Sequence, residues 1–167
     1  KGYQIPPVRQ AGHFELAFTT VGKYGESIYT TQQMVMNWSS GFHGWNGIID
    51  WTTTPQYTFN TSSFTVKNRG NAPVDPVENY LKITIKGTFT TYFQMTNLTN
   101  GVVYRLNDSL STSDTLILEK VSSLKNGLSV YGKTNHNLMY LEPGDNEFLI
   151  EGGTVTSIAF DFNFLIK

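Results

Sequence analysis

The sequence predicts an all-β protein, and three observations lead to this prediction. Aromatic residues make up 14% of the chain and charged residues only 15%, a composition that favours pleated sheets. No long segment repeats its apolar residues with the 3.6-residue period of a helix. Apolar and polar residues instead alternate in short runs, which recur roughly every 8 to 14 residues from about residue 55, between clusters of Gly, Asn, Pro and Asp. This pattern is typical of an antiparallel β-sandwich or jelly roll.

The clearest strand signal lies at the end of the chain. Apolar residues occupy five successive alternate positions there: Ile158, Phe160, Phe162, Phe164 and Ile166. A strand with one wholly apolar face is expected to cross the middle of a core. Asp161 lies on the opposite face of this strand, where we expect it to be exposed to solvent.

Shorter runs predict the remaining elements. Alternating apolar positions occur at Phe14, Leu16 and Phe18, at Tyr57 and Phe59, at Phe64 and Val66, at Leu81, Ile83 and Ile85, at Phe93 and Met95, and at Leu128 and Val130. The best helix candidate, "TQQMVMNW" at residues 31–38, is short. In "YLEPGDNEFLIEGG", residues 140–153, Pro143-Gly144 is a strong turn signal. It predicts a corner between two strands, "NLMYL" and "EFLIEG".

The sequence divides into an N-terminal arm and a sandwich domain. We assign residues 1–50 to an extended arm and linker, since "GHFELAFTT" reads as a single strand followed by the Gly- and aromatic-rich "WSSGFHGWNG". Residues 51–167 form the predicted β-sandwich. A strand without a sheet of its own invites pairing with another chain, so we expect either disorder of the first residues or strand exchange between copies.

Composition and motifs argue against several function classes. The formal net charge is −1, with lysines and arginines scattered, which argues against nucleic-acid binding. No run of 18 apolar residues predicts a transmembrane helix. The chain has no cysteine, and its three histidines, His13, His43 and His136, lack metal-ligand spacing. Neither a nucleophile elbow nor a phosphate-binding glycine motif is present. We therefore expect no metal, no cofactor and no enzymatic activity.

One aromatic segment stands out as a candidate contact surface. "WSSGFHGWNGIIDW" contains four large aromatic side chains: Trp38, Phe42, Trp45 and Trp51. These rings are expected to cover the flank of the sandwich and pin the arm to it. A protein-docking patch and a stacking platform for sugar rings are the alternatives. We interpret the segment as a docking or packing patch at the junction of arm and domain.

Several segments taken in order resemble a known family. They are "FTVKNRGNAPVDP", "LKITIKG", "FQMTNLTNG", "DTLILEK", "NGLSVYG" and "LMYLEPGDNEFLI". This succession resembles the C-terminal, galectin-like domain of the distal tail proteins (Dit) of siphophages that infect Gram-positive bacteria. The residues that match the family pattern are expected at turns and strand ends: Asn68, Gly70, Gly87, Asn97, Gly101, Asp114, Asn126, Gly127, Pro143, Gly144 and Asn146.

The resemblance implies a structural role in a virion. It implies a tail-tip (baseplate) hub protein, made in the bacterial cytoplasm, whose peripheral sandwich attaches tip or receptor-binding proteins. In the family an N-terminal domain self-associates into a ring beneath the tail tube, and here "GHFELAFTTVGKYGESI" resembles only its last strand and exit linker. A second departure is "DTLILEK", in which Glu119 or Lys120 stands where the family has Asp. The sugar motif of galectins is not matched, since His136-Asn137 lacks the spaced Arg.

Two other functions remain as alternatives. A carbohydrate-binding module for host cell-wall polysaccharide predicts exposed, coplanar aromatic side chains on a concave sheet face, with Tyr92, Tyr104, Tyr131 and Tyr140 as candidates. A one-residue shift of register would bury them instead. A glycan-cleaving enzyme would need two carboxylates poised across a bond, and no pair of the thirteen acidic residues stands out.

Overall fold

The computed structural model describes residues 22–36 and 56–167, and it confirms the all-β prediction. All strand pairs in these residues are antiparallel. The predicted helix is present over Thr31–Met36. The finer assignment, a jelly roll of galectin-like type, stays a prediction.

Ten strands and one α-helix make up the described part of the chain. The strands are β1 (Gly25–Glu26), β2 (Thr58–Phe59), β3 (Ser63–Asn68), β4 (Leu81–Asn97), β5 (Val102–Leu106), β6 (Leu116–Glu119), β7 (Ser122–Lys125), β8 (Leu128–Ser129), β9 (Gly144–Phe162) and β10 (Leu165–Ile166). The helix, α1, lies between β1 and β2, and a 3₁₀ turn at Tyr131–Lys133 follows β8.

The two longest strands, β4 and β9, form the spine of the fold. Their pairing runs from Leu81 opposite Phe162 to Asn97 opposite Phe148. It is interrupted once over several residues, where residues 90–93 of β4 stand opposite a single residue of β9. An excess of residues on one strand makes both strands bend and twist. The bend divides the spine into two halves.

Each half of the spine has its own neighbours. In the half near Leu81, β2 pairs with β9 on one side, and β6, β7 and β8 extend the sheet beyond β4 on the other. In the other half, β3 pairs with β9 and β5 pairs with β4. The outer edge of β5 is covered by the segment around Asn135, through a bridge between Leu106 and Thr134.

The two halves enclose a phenylalanine-rich core. Its largest fully buried side chains are Tyr57, Phe89, Phe93, Phe148, Phe160, Phe162, Phe164, Leu81, Ile83, Ile85, Met95 and Leu106. Most of the alternating positions predicted from residue 57 onward are therefore confirmed as core positions. Leu128 is an exception: its side chain is 75% exposed, because β8 is a two-residue edge strand that lies outside the core.

The predicted terminal strand is wrong beyond Phe162. β9 ends at that residue, and the chain resumes as β10, which pairs with β1 instead of β2. The change of partner shifts the alternation, so that Leu165 is buried and Ile166 is only partly buried. Asp161 is also not simply exposed: it is half-buried and accepts hydrogen bonds from the Tyr80 hydroxyl (3.0 Å) and the Gln32 backbone amide (3.3 Å).

The Pro143-Gly144 corner has a strand on one side only. Gly144 begins β9 with φ at 88°, a left-handed backbone that suits glycine. The segment before it, predicted as the strand "NLMYL", forms a single bridge between Leu141 and Val74. Asn137 at its first position, and Asn135 just before it, donate their side-chain amides to the carbonyl of Val103.

Candidate functional site

The aromatic patch predicted from Trp38, Phe42, Trp45 and Trp51 lies outside the described residues, as does "GHFELAFTT". The second half of the predicted arm is partly described. Residues 22–36 pack on the sheet, with Met34 in the core cluster.

Two buried hydroxyls join residues 22–36 to the end of the chain. The Ser27 hydroxyl accepts a hydrogen bond from the Phe164 amide (3.0 Å), while the Ser27 amide donates to the Phe164 carbonyl (2.9 Å). The Thr31 hydroxyl donates to the Phe160 carbonyl (3.0 Å) and accepts from the Phe162 amide (3.2 Å). Thr31 thus supplies the hydrogen bonds that a neighbouring strand would make ahead of the first residue of β2. We call Ser27 and Thr31 the hydroxyl lock.

Two asparagines of the family pattern meet in the interior. Asn97 ends β4, Asn146 lies near the start of β9, and both are fully buried. The Asn97 amide donates to the Asn146 side-chain oxygen (3.1 Å), which also accepts from the Glu142 backbone amide (2.9 Å). The Asn146 amide in turn donates to the carbonyls of Glu142 (2.8 Å) and Gly144 (3.2 Å). The pair holds the entry into β9 against the exit from β4.

A third asparagine shapes the turn after β3. The Asn68 side chain accepts from the Gly70 amide (3.0 Å) and donates to the Ala72 carbonyl (3.0 Å). A Cβ at Gly70 would collide with the backbone of Leu165. Only glycine lets this turn approach β10 so closely.

Asp114 and Asn126 form another contact between residues of the family pattern. The Asn126 amide donates to the Asp114 carboxylate (2.6 Å), which also accepts from the Ser111 backbone amide (2.8 Å) and hydroxyl (2.9 Å). The Ser111 amide, then Asn126 and the Ser111 hydroxyl, lower the pKa of Asp114 to about 2. Asn126 and Gly127 both have positive φ and form the two-residue turn between β7 and β8.

The remaining residues of the pattern are glycines and one proline. Gly101 has φ at 75° in the loop after Asn97, whose carbonyl accepts from the Gly101 amide (2.8 Å). Gly87 was expected at a strand end, which is wrong: it lies inside β4 at a shift of register. A Cβ there would meet the Thr154 carbonyl and the Phe89 ring. Pro143 is exposed just ahead of β9.

An open groove lies at the far edge of the sheet, beyond β7. It has a volume of about 430 Å³ and is lined by Val121, Ser122, Ser129, Tyr131, His136 and Leu138. We call it the Tyr131 groove. Val121 belongs to the tight turn between β6 and β7, and Tyr131 to the 3₁₀ turn after β8. This groove is not apparent from the sequence, because its residues come from three separate short stretches of chain, 121–122, 129–131 and 136–138.

The Thr134 hydroxyl connects the backbone of the two aromatic residues in the groove, Tyr131 and His136. The rings of Tyr131 and His136 have centroids 4.5 Å apart. The Thr134 hydroxyl donates to the Tyr131 carbonyl (2.8 Å) and accepts from the His136 amide (3.2 Å). His136 adopts a left-handed backbone with φ at 61°, a conformation that is uncommon for residues other than glycine and often occurs at functional positions.

A second, narrow cleft lies next to the groove, and Ser122 and Leu138 line both. Its volume is about 10 Å³, and it reaches Tyr104 and Ser123. The Tyr104 side chain is 2% exposed, and its hydroxyl has no hydrogen bond of normal geometry. Burial raises the pKa of Tyr104 to about 12, although hydrogen bonding by the neighbouring Ser123 hydroxyl lowers this pKa. The hydroxyl is therefore neutral and keeps its proton.

The four tyrosines proposed as a coplanar sugar platform are not one exposed set. Tyr104 is buried against Phe93, so that part of the expectation is wrong. Tyr92 lies beneath the Arg105 guanidinium, 3.9 Å from its ring centroid. Tyr140 is half-buried, whereas Tyr131 is 45% exposed. Inward alternation along β5 explains Tyr104, since Leu106 two residues on is also buried.

Across residues 22–36 and 56–167, no three His, Asp or Glu side chains gather as a metal site would require. In the same described ranges no helix has the length and apolar character needed to cross a membrane. The chain matches no protein-family model and no curated protein at a significant level.

Proposed function

We propose that the chain is a non-enzymatic structural component of a siphophage tail tip, in which the β-domain attaches tip or receptor-binding proteins. The proposal follows from the resemblance of residues 55–167 to the distal tail protein family. Its partners would be the tail tube and the tip or receptor-binding proteins, with ring assembly of the full-length protein. The mechanism is complementarity of surfaces without bond chemistry.

The observation that best supports this proposal is the hydroxyl lock. Ser27 and Thr31 are buried and bind the backbone at Phe160, Phe162 and Phe164. They fix the path by which residues 22–36 enter the domain relative to its last strands. An adaptor must hold its domain in a set orientation to what precedes it, and a buried hydrogen-bonded junction does so better than a flexible linker.

The hydrogen bonds made by residues of the family pattern also support a structural role. Asn97 and Asn146 bind each other and the surrounding backbone, and Asp114 and Asn126 do the same in a loop. These side chains hold turns and strand ends together. A pattern of this kind preserves a fold, and function then resides in the surfaces that the fold presents.

The test is to locate the protein on virions. Antibodies raised against the purified chain and coupled to gold would be applied to tailed particles from a strain that carries the gene, and viewed by negative-stain electron microscopy. We expect gold at the distal end of the tail. Antibody preadsorbed with the purified chain is the control, and it should remove the label. Label on the capsid or along the tube, or particles that stay unlabelled although the antibody detects the chain in their blots, would overturn the proposal.

A further inference from the structure

We infer that the Tyr131 groove binds an uncharged pyranose residue of a glycan, with the buried Tyr104 hydroxyl as a hydrogen-bonding group at the base of the site. This inference goes beyond the adaptor role and does not depend on it. It rests on the size of the groove, its chemistry, its lack of charge and the unsatisfied hydroxyl beneath it.

The groove has the dimensions of a small-molecule site. Its volume of about 430 Å³ lies within the range of pockets that bind small ligands, roughly 300–1,000 Å³. It is open on one side, which suits one residue within a longer polymer. The rings of Tyr131 and His136 form one wall, and Val121 and Leu138 add apolar surface.

The chemistry of the walls fits a sugar ring better than a purely apolar group. A pyranose has C–H faces that pack on an aromatic ring and hydroxyls around its edge, and Tyr131 offers such a ring at 45% exposure. Among the described residues, neither the Ser122 nor the Ser129 hydroxyl has a side-chain hydrogen-bond partner. Both are exposed in the groove and available to a ligand.

The lack of Asp, Glu, Lys and Arg side chains in the groove narrows the range of possible ligands further. A carboxylate or phosphate in the groove would lose hydration with His136 as the one described lining side chain able to take a positive charge, since Lys120 lines the adjoining cleft and not the groove. The lining therefore favours a neutral hexose, deoxyhexose or N-acetylhexosamine over a phosphate-bearing or uronic acid residue.

Tyr104 provides an independent observation that points to a ligand. Its side chain is nearly fully buried and its hydroxyl lacks a hydrogen bond of normal geometry, with the Ser123 hydroxyl as a nearby polar group, although buried polar groups are almost always paired. The adjoining cleft of about 10 Å³, which Tyr104 lines together with Ser122 and Leu138 of the groove, has room for about one water or one hydroxyl. A hydroxyl of the bound sugar, or one water bridging to it, would complete the hydrogen bonding of Tyr104. An apolar peptide side chain in the groove would leave this hydroxyl unpaired.

The experiment is saturation-transfer-difference NMR of the purified chain with a panel of neutral sugars. The panel contains methyl glycosides of glucose, galactose, rhamnose, N-acetylglucosamine and N-acetylgalactosamine, and glucose 6-phosphate serves as the charged comparison. We expect at least one neutral glycoside to receive saturation through its ring protons and the phosphate ester to receive none. The affinity of the best sugar is then measured by titration.

Three variants locate the site. Tyr131→Ala removes an exposed ring and should reduce affinity by more than about tenfold, since stacking on that ring is lost. Tyr104→Phe removes one oxygen and should weaken binding by about threefold to tenfold, the equivalent of one hydrogen bond, while the free protein stays as stable as before. Tyr92→Leu is the matched control, because Tyr92 stacks under Arg105 outside the groove, and it should leave affinity unchanged.

Several outcomes would overturn the inference. No saturation of any neutral glycoside at tens of millimolar is one. Binding that Tyr131→Ala leaves intact in a folded variant, or that Tyr92→Leu abolishes, would place the sugar elsewhere and is another. A stronger signal from glucose 6-phosphate than from the neutral sugars would contradict the charge argument.

Discussion

Phe148 and Phe160 lie on the same strand, twelve positions apart, and yet their ring centroids are 5.1 Å from each other. A straight strand would separate them by roughly 40 Å. β9 must therefore fold back on itself, which brings one half of the sheet onto the other. The contact is strengthened by Phe64 of β3, whose ring stacks on Phe148 (5.5 Å) and meets Phe160 edge-on (6.0 Å).

The fold in β9 depends on two glycines at the bend. Gly152 has φ at 98°, and a Cβ there would meet the Tyr92 carbonyl. A Cβ at Gly153 would meet the Thr88 carbonyl and the Phe89 backbone. The strands cross here more closely than any side chain allows.

The first prediction follows from this close approach. Gly153→Ala should lower the free energy of unfolding by about 1–3 kcal/mol, because the methyl group must push two strands apart. Gly152→Ala should cost more, since it adds left-handed backbone strain. Urea unfolding followed by far-ultraviolet circular dichroism measures both. Gly132→Ala is the control, because a Cβ there has open space and φ is not positive; an equal loss in all three variants would contradict the explanation.

The second prediction concerns the hydroxyl lock. Thr31→Val keeps the shape of the side chain but leaves the buried Phe162 amide without its partner, while the Phe160 carbonyl loses one of two donors and keeps the Gln32 side-chain amide (2.9 Å). We expect a loss of about 2–3 kcal/mol in the free energy of unfolding. Hydrogen exchange should show faster exchange of the Phe162 amide, which Thr31 protects.

Thr30 offers a matched control for this prediction. Its hydroxyl is also buried but has no hydrogen-bond partner. Thr30→Val should therefore be neutral or slightly stabilising, because it removes an unsatisfied polar group of the same shape. If Thr30→Val destabilised the protein as much as Thr31→Val, the loss would reflect packing of the branched side chain and not the lock.

The third prediction tests the buried asparagine pair. Asn146→Ala should lower the free energy of unfolding by roughly 2–4 kcal/mol, because it removes the partner of one Asn97 N–H and of the part-buried Glu142 amide and carbonyl, while Asn97 keeps its bond to the Tyr140 carbonyl (3.2 Å). Asn60→Ala, at an exposed position, is the control and should change stability by less than about 0.5 kcal/mol. Chemical denaturation of the two variants at one pH gives the comparison. A loss at Asn146 no larger than that at Asn60 would mean that water replaces the lost bonds.

The sequence predicted the all-β class and most of the core because one face of each strand repeats every two residues. For example, Ile83 and Ile85 occupy alternate positions of one strand and are buried, as that pattern predicts. The same holds for Phe160 and Phe162. The sequence did not predict that β4 and β9 each run through a bend. The bend depends on the close approach of glycines in one strand to backbone carbonyls of the other, for example Gly153 to the Thr88 carbonyl. Gly87 was expected at a turn or strand end for the same reason.

The groove could not be predicted from local pattern at all. Tyr131, His136 and Val121 come together through the turn after β8, the left-handed residue His136 and the tight turn before β7. Alternation every two residues predicts which side chains of a strand are exposed, whereas these residues lie in loops. Tyr104, by contrast, could have been placed inside, since Leu106 on the same face of β5 is apolar.

The last prediction concerns acid stability and the loop between β5 and β6. The folded-state pKa of Asp114, about 2, lies below its ordinary value of 3.8, chiefly because the Ser111 backbone amide and then Asn126 bind the carboxylate. A carboxyl whose pKa is depressed by folding stabilises the protein above its unfolded pKa, and this contribution is lost as the pH falls through the folded pKa. The stabilisation is thus present at neutral pH and disappears between about pH 4 and pH 2.

Asp114→Asn should be less stable than the wild type at neutral pH and should lose less stability across that window, as measured by urea unfolding at each pH. Asn126→Ala should raise the pKa of Asp114 in a carboxyl NMR titration while leaving it below 3.8, because the Ser111 bonds remain; an unchanged pKa would show that Asn126 does not act on the carboxylate.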